Sequence, residues 1–233
     1  MDNSLKLIIF DCDGTLVDSQ HVIVAAMHEA YRGHRVPVPA RERLLSIVGL
    51  SLAEAFRALG EGHSDYPVTT LIARYRTAHA ALLTQAHAAP LFPDARETVE
   101  ALAQRPATVL GIATGKSRRG VEGVLGRHGL LGHFLTIQTA DDAPSKPDPT
   151  MVIAAMRETG AAPADTVVVG DTAFDMAMAR AAGAAAVGVA WGYHPPAALH
   201  AAGAVAVIEQ FPALLPTLDR LWRPQGAPAH PPV

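Results

Sequence analysis

Five short apolar runs separated by helix-forming stretches constrain this chain more than any other feature. They lie at residues 6–10, 108–113, 134–139, 166–169 and 185–190, and each reads as a short buried strand. Helical signals sit between them. Asp94 with Glu97 spells an N-cap and capping box for a helix that stops before Pro106. Ser117 can cap a helix carrying Val121, Val124, Leu125 and His128, closed by Gly129. Asp148-Pro149 can open another, closed by Gly160. Strands alternating with helices predict an α/β fold with a doubly wound, Rossmann-like parallel sheet covered on both faces.

One interval breaks this rhythm. Nearly a hundred residues separate the first two runs, whereas a βαβ crossover needs only about 30 in total. The interval reads as helical: Gln20–Tyr31, a capping box at Ser51 and Glu54, and Val68–Leu83. Core-like sequence resumes near Leu91. The expected organisation is therefore a core of residues 1–17 and 91–222 and a small helical cap of 18–90. A proline-rich tail, 223–233, reads as a loose terminus. A cap that leaves the core beside the first strand is placed to close over whatever binds there.

Composition narrows the function classes. With 49% hydrophobic residues, 18% charged residues and a net charge of −3, the chain is neither a disordered segment nor a basic nucleic-acid binder. No apolar run reaches the ~18 residues of a membrane span. A single cysteine, Cys12, excludes an internal disulfide framework, and with no export signal the expected location is cytoplasmic. The eleven histidines show no zinc-site spacing and read as ordinary polar positions.

The chemistry gathers at strand ends. The first run meets Asp11, Cys12, Asp13 and Gly14; the second ends in Thr114-Gly115-Lys116. Lys146-Pro147 follows the third, and Gly170-Asp171-Thr172, with Asp175 one turn on, ends the fourth. In an open parallel sheet ligands collect beyond the carboxyl ends of the strands. Carboxylates crowded there repel and raise one another's pKa, a cost that a divalent cation removes. Hard oxygen ligands favour Mg2+, and Lys146, the Thr114 hydroxyl and backbone N–H groups near Gly115 suit a phosphoryl group. Cys12, between two site-facing residues, is expected to point into the core. Lys116 reads equally as a substrate contact or as a loop charge.

In this order the motifs resemble those of the haloacid-dehalogenase superfamily phosphohydrolases with a helical cap. Residues 11–19 (DCDGTLVDS) match the first motif, Thr114-Gly115-Lys116 the second, Lys146-Pro147 the third and residues 170–175 (GDTAFD) the fourth. Phe92-Pro93-Asp94 sits where the chain returns from the cap, with Asp94 in place of the family's glycine. The resemblance implies that Asp11 is a nucleophile forming an aspartyl-phosphate and that Asp13 is the general acid and base. It implies phosphate binding by Thr114, Gly115, Lys116 and Lys146, and metal ligation by Asp11, the Asp13 backbone carbonyl and Asp171. Asp175 would support that shell or orient Lys146.

The implied function is an Mg2+-dependent phosphatase acting on a small phosphorylated metabolite, with phosphoglycolate the leading candidate. A sugar phosphomutase shares all four motifs. A receiver-like or non-catalytic phosphate-binding protein is the alternative from another class, against which Asp13 and the cap both argue. The 49–51 loop is expected to face the site. Arg41, Arg43 and Arg57 read either as contacts to a second anionic group of the substrate or as solvated helix charges.

Overall fold

The computed structural model describes residues 4–34, 36–84 and 89–223. Most of the proline-rich tail, 224–233, lies outside the described residues. Six strands form one sheet: β1 (Lys6–Phe10), β2 (Thr108–Thr114), β3 (Phe134–Thr139), β4 (Thr166–Gly170), β5 (Ala185–Val189) and β6 (Ala206–Ile208). Their spatial order is β3-β2-β1-β4-β5-β6, and every neighbouring pair is parallel. This is the doubly wound arrangement expected from the alternation of elements. The strand order reverses beside β1, so a crevice opens beyond the carboxyl ends of β1 and β4.

The period of two along β1 sorts its side chains between two cores. Ile8 and Phe10 face α5 (Ala95–Ala103), α6 (Arg118–Arg127) and α10 (Leu214–Leu221) through Val99, Leu125 and Leu218. Leu7 and Ile9 face α7 (Thr150–Thr159), α8 (Ala173–Ala181) and α9 (Pro196–Ala202) through Met151, Met176 and Leu199. All four β1 residues are fully buried, and such a side chain contributes roughly 1.5–3 kcal/mol.

The insert between β1 and β2 holds α1 (Gln20–Tyr31), α2 (Arg41–Leu45), α3 (Leu52–Leu59) and α4 (Val68–Leu83). These helices pack around their own core of Met27, Tyr31, Leu44, Phe56, Leu71 and Tyr75. Phe56 stands between Tyr31 and Tyr75, each ring centroid 6.2 Å away. The outgoing and returning chains touch: the Asp18 N–H donates to the Pro90 carbonyl at 2.8 Å, and Val17 bridges to Leu91.

Local expectations hold at some ends and fail at others. Ser117 accepts the Gly120 N–H, and Gly160 closes α7 at φ 77°. Asp148 Oδ1 accepts the Thr150 N–H at 2.9 Å at the start of the same helix. Ser51 caps α3, but Glu54 turns outward to pair with Arg57, so the box there is half made. Asp94 makes no side-chain cap at all. Its backbone sits at φ 60°, in the left-handed region that glycine occupies without strain. The departure from the motif's glycine thus falls where that glycine would have been used. Strand β6 was not expected from the sequence; its three residues, Ala-Val-Ile, carry too short an apolar signal.

Candidate active site

Every strand-end residue singled out above meets at the crevice. Asp11 follows β1, Thr114 ends β2, Asp171 follows β4, and Lys146 arrives on the loop after β3. Asp11, Thr114, Lys146, Asp171 and Asp175 are all buried. Gly14 makes the turn after Asp13 at φ 83°. A Cβ there would stand 2.3 Å from Asp171 Oδ2 and 2.4 Å from the Tyr193 ring, so only glycine lets the strands approach.

Lys146 organises the acidic pocket. Its Nζ lies 2.5 Å from Asp175 Oδ1 and 3.1 Å from Asp11 Oδ2. The other Asp175 oxygen accepts the Thr172 N–H and hydroxyl, completing a capping box at the start of α8. Asp171 accepts the Thr15 hydroxyl at 2.9 Å and the Tyr193 N–H at 2.9 Å. Asp11 accepts the Cys12 N–H at 2.6 Å. Cys12 itself points into the core below β1, and burial pushes its thiol well above the ordinary value.

Three carboxylates, Asp11, Asp171 and Asp175, bring oxygens within 4.8 Å of one another. One buried lysine does not balance them. Burial pushes Asp11 up to about 6, against the pull of Lys146. Burial, with Asp11 and Asp175 as neighbours, pushes Asp171 well above the carboxylate range. Such a set fits a divalent cation, which supplies the missing positive charge and keeps the acids ionised. Asp175 is the one of the three that holds Lys146 at 2.5 Å with one oxygen and caps α8 with the other.

Asp13 has a different environment. Lys116 reaches it with Nζ 2.9 and 3.1 Å from the two carboxylate oxygens. Burial would raise the Asp13 pKa, but Lys116 and the Ser19 hydroxyl outweigh it, and the net shift is downward. The sequence left open whether Lys116 faces the site; it does.

The insert forms the roof. Gly115 touches the 49–51 loop so closely that a Cβ would meet the Gly49 and Leu50 carbonyls at 2.5 Å. Two hydrogen bonds hold the 46–51 stretch to the core. The Ser51 N–H donates to Ser145 Oγ at 2.8 Å, and His194 bridges from the Ala173 N–H to the Ser46 carbonyl at 3.2 Å. Between insert and core lies a cavity of about 630 Å³, floored by Asp11, Asp13, Thr114 and Lys116.

Of the insert's basic residues, the three singled out in the sequence are elsewhere. Arg57 pairs with Glu54, Arg43 donates to the Ala58 carbonyl, and neither they nor Arg41 line the cavity. Arg76 and His79, both on α4, line it instead. His79 has a buried Nε2 without a partner among the described residues, and burial beside Lys116 pushes its pKa down to about 4. Neither residue carries a motif, so helical phase relative to the insert's core was the only sequence signal for them.

The profile of the haloacid dehalogenase-like hydrolases matches residues 8–189. The chain belongs to that family. A relative from Dickeya dadantii, "Probable phosphatase IndB", is 34% identical over 224 residues, covering 95% of this chain and 97% of that one. "Phosphoglycolate phosphatase" from Vibrio vulnificus is 31% identical over 196 residues, 82% of this chain and 86% of the relative. Among solved structures, a hydrolase from Pseudomonas syringae superposes with a TM-score of 0.81 at 31% identity, covering 92% of this chain and 98% of that one. Family and relatives together place the chain among the phosphatases. No helix among the described residues is long and apolar enough to cross a membrane.

Proposed function

We propose that the chain hydrolyses a small phosphorylated metabolite with Mg2+ through an aspartyl-phosphate on Asp11. The supporting observation is the separation of the two motif carboxylates: Asp11 is held against Lys146, and Asp13 against Lys116, on one cavity floor. One carboxylate is thereby available to attack phosphorus and the other to manage protons.

In this reading an Asp11 oxygen attacks phosphorus in line with the ester oxygen, and the P–O bond to the leaving alcohol breaks. Asp13 gives its proton to that alcohol, then takes one from the water that cleaves the aspartyl-phosphate. Thr114, Lys116, Lys146 and the N–H groups around Gly115 hold the phosphoryl oxygens. Asp11, the Asp13 carbonyl and Asp171 would hold Mg2+, whose role is to neutralise charge between carboxylate and phosphate. Asp175 positions Lys146. The helical insert, residues 18–90, serves as the cap that excludes water.

Phosphate release from phosphoglycolate and other phosphorylated metabolites, with Mg2+ and with chelator, tests the reading. Release that needs the metal and disappears in folded Asp11→Asn supports it. Release unaffected by that substitution overturns it.

A further inference from the structure

Resting on the phosphatase reading, the cavity narrows its substrate. Phosphoglycolate has about nine non-hydrogen atoms and fills on the order of 100 Å³, roughly three to four waters' share of liquid volume. The cavity measures about 630 Å³, within the range of roughly 300–1,000 Å³ that holds ligands of drug size. A two-carbon acid would leave most of it to water.

The walls differ from the floor. Polar groups crowd the floor at Asp11, Asp13, Thr114 and Lys116. Above them the cavity runs into the insert between α1, α3 and α4, where Ile23, Met27, Ile47 and Ala55 line it. Each of these is no more than 5% exposed and backs the wall, while the half-buried Leu50 and Ala53 present apolar surface to the cavity. Leu52 and Ile72 continue the same wall. Arg76 and His79 from α4 and Arg119 and Arg127 from α6 line the cavity as well.

We infer that the physiological substrate is a phosphomonoester with an apolar, ring-sized body. The phosphoryl group sits on the floor among Asp11, Thr114 and Lys116, and the body lies along the apolar wall of the insert. Selectivity then comes from the walls, while the floor handles any phosphate ester.

The test uses primary alkyl phosphates, so that leaving-group reactivity is matched. The panel is phosphoglycolate, glycerol 3-phosphate, 2-phenylethyl phosphate and pyridoxine 5′-phosphate. For the ring-bearing compounds kcat/KM is expected to exceed that for phosphoglycolate at least tenfold, the discrimination that an apolar pocket supplies. Ala53→Phe, which fills the cavity from its α3 wall, should cut the ring-bearing rates at least tenfold and leave phosphoglycolate within about twofold. Equal or better use of phosphoglycolate by the wild-type protein overturns the inference and leaves the phosphatase intact. Absence of release from all four compounds overturns both.

Discussion

Lys116 straddles the carboxylate of Asp13, with Nζ within 3.1 Å of both oxygens. The pairing stabilises the ionised form, yet the proposed chemistry needs Asp13 protonated when the alcohol leaves. In the proposed reaction the substrate phosphate, the stronger anion, draws Lys116 away and releases Asp13 to take up a proton.

Lys116→Met should therefore move the alkaline limb of the kcat/KM profile. Removing the cation raises the Asp13 pKa, so the acid stays protonated to higher pH and the limb shifts upward, by about one unit or more. A limb at its original position, in a variant that still binds phosphate, would mean that Asp13 is not the proton donor.

Asp11→Asn should abolish turnover, by about a thousandfold or more. The same substitution removes a buried charge from a site with too many, so the metal-free variant should melt no lower than the wild type. Paired measurements of phosphate release and thermal unfolding check this. A lost fold would undermine the reading of Asp11 as dispensable for structure.

Magnesium should stabilise the protein in a pH-dependent way. Asp11 titrates near 6 in the folded chain, above its ordinary carboxylate value. Its contribution to metal-free stability is full below about pH 4 and is lost as pH rises through 6. The cation binds the ionised carboxylates, so it should restore more at pH 7.5 than at pH 5. At a hundredfold excess over Kd the gain is about 2.7 kcal/mol, or roughly 5–10 °C for a chain of this size. Equal shifts at the two pH values would argue against Asp11 and Asp171 as the binding carboxylates.

Asp94→Gly should stabilise the return from the insert. The left-handed backbone at φ 60° strains a side chain, and Asp94 gains no cap hydrogen bond in exchange. An increase of about 0.5–1 kcal/mol in unfolding free energy is expected, with activity unchanged. Denaturant titration measures it, and a loss of stability would show that the carboxylate has a role at this turn.

Much of this architecture could be read before any coordinates. Five of six strands announced themselves because strands buried on both faces are continuous apolar runs. The sixth did not, because three small residues at a sheet edge leave almost no signal. Asp11, Asp13, Thr114 and Asp171 were legible because strand-end position follows from where each run stops, and Lys146 because Lys146-Pro147 stands as a motif in the loop after β3. For Arg43 and Arg57 the sequence left two readings open, because charge alone does not tell which side of a helix faces a cavity. His79 was missed for the converse reason: its relevance comes from α4 bringing it to the same cavity as Asp13 and Lys116, a relation between elements far apart in the chain. The Asp94 cap failed because the residue's backbone conformation, invisible in the letter itself, carried its carboxylate away from the helix start.

Asp175 uses one oxygen to hold Lys146 and the other to begin α8. Chemistry and scaffold therefore share a side chain there, whereas Asp11 and Asp13 hang beyond the end of β1 and brace no helix. A descendant that gave up hydrolysis to become a mere binder of phosphate would be free to change the first motif, but not the fourth. Retired members of such a lineage would be betrayed by an intact GDxxxD beside an eroded DxD.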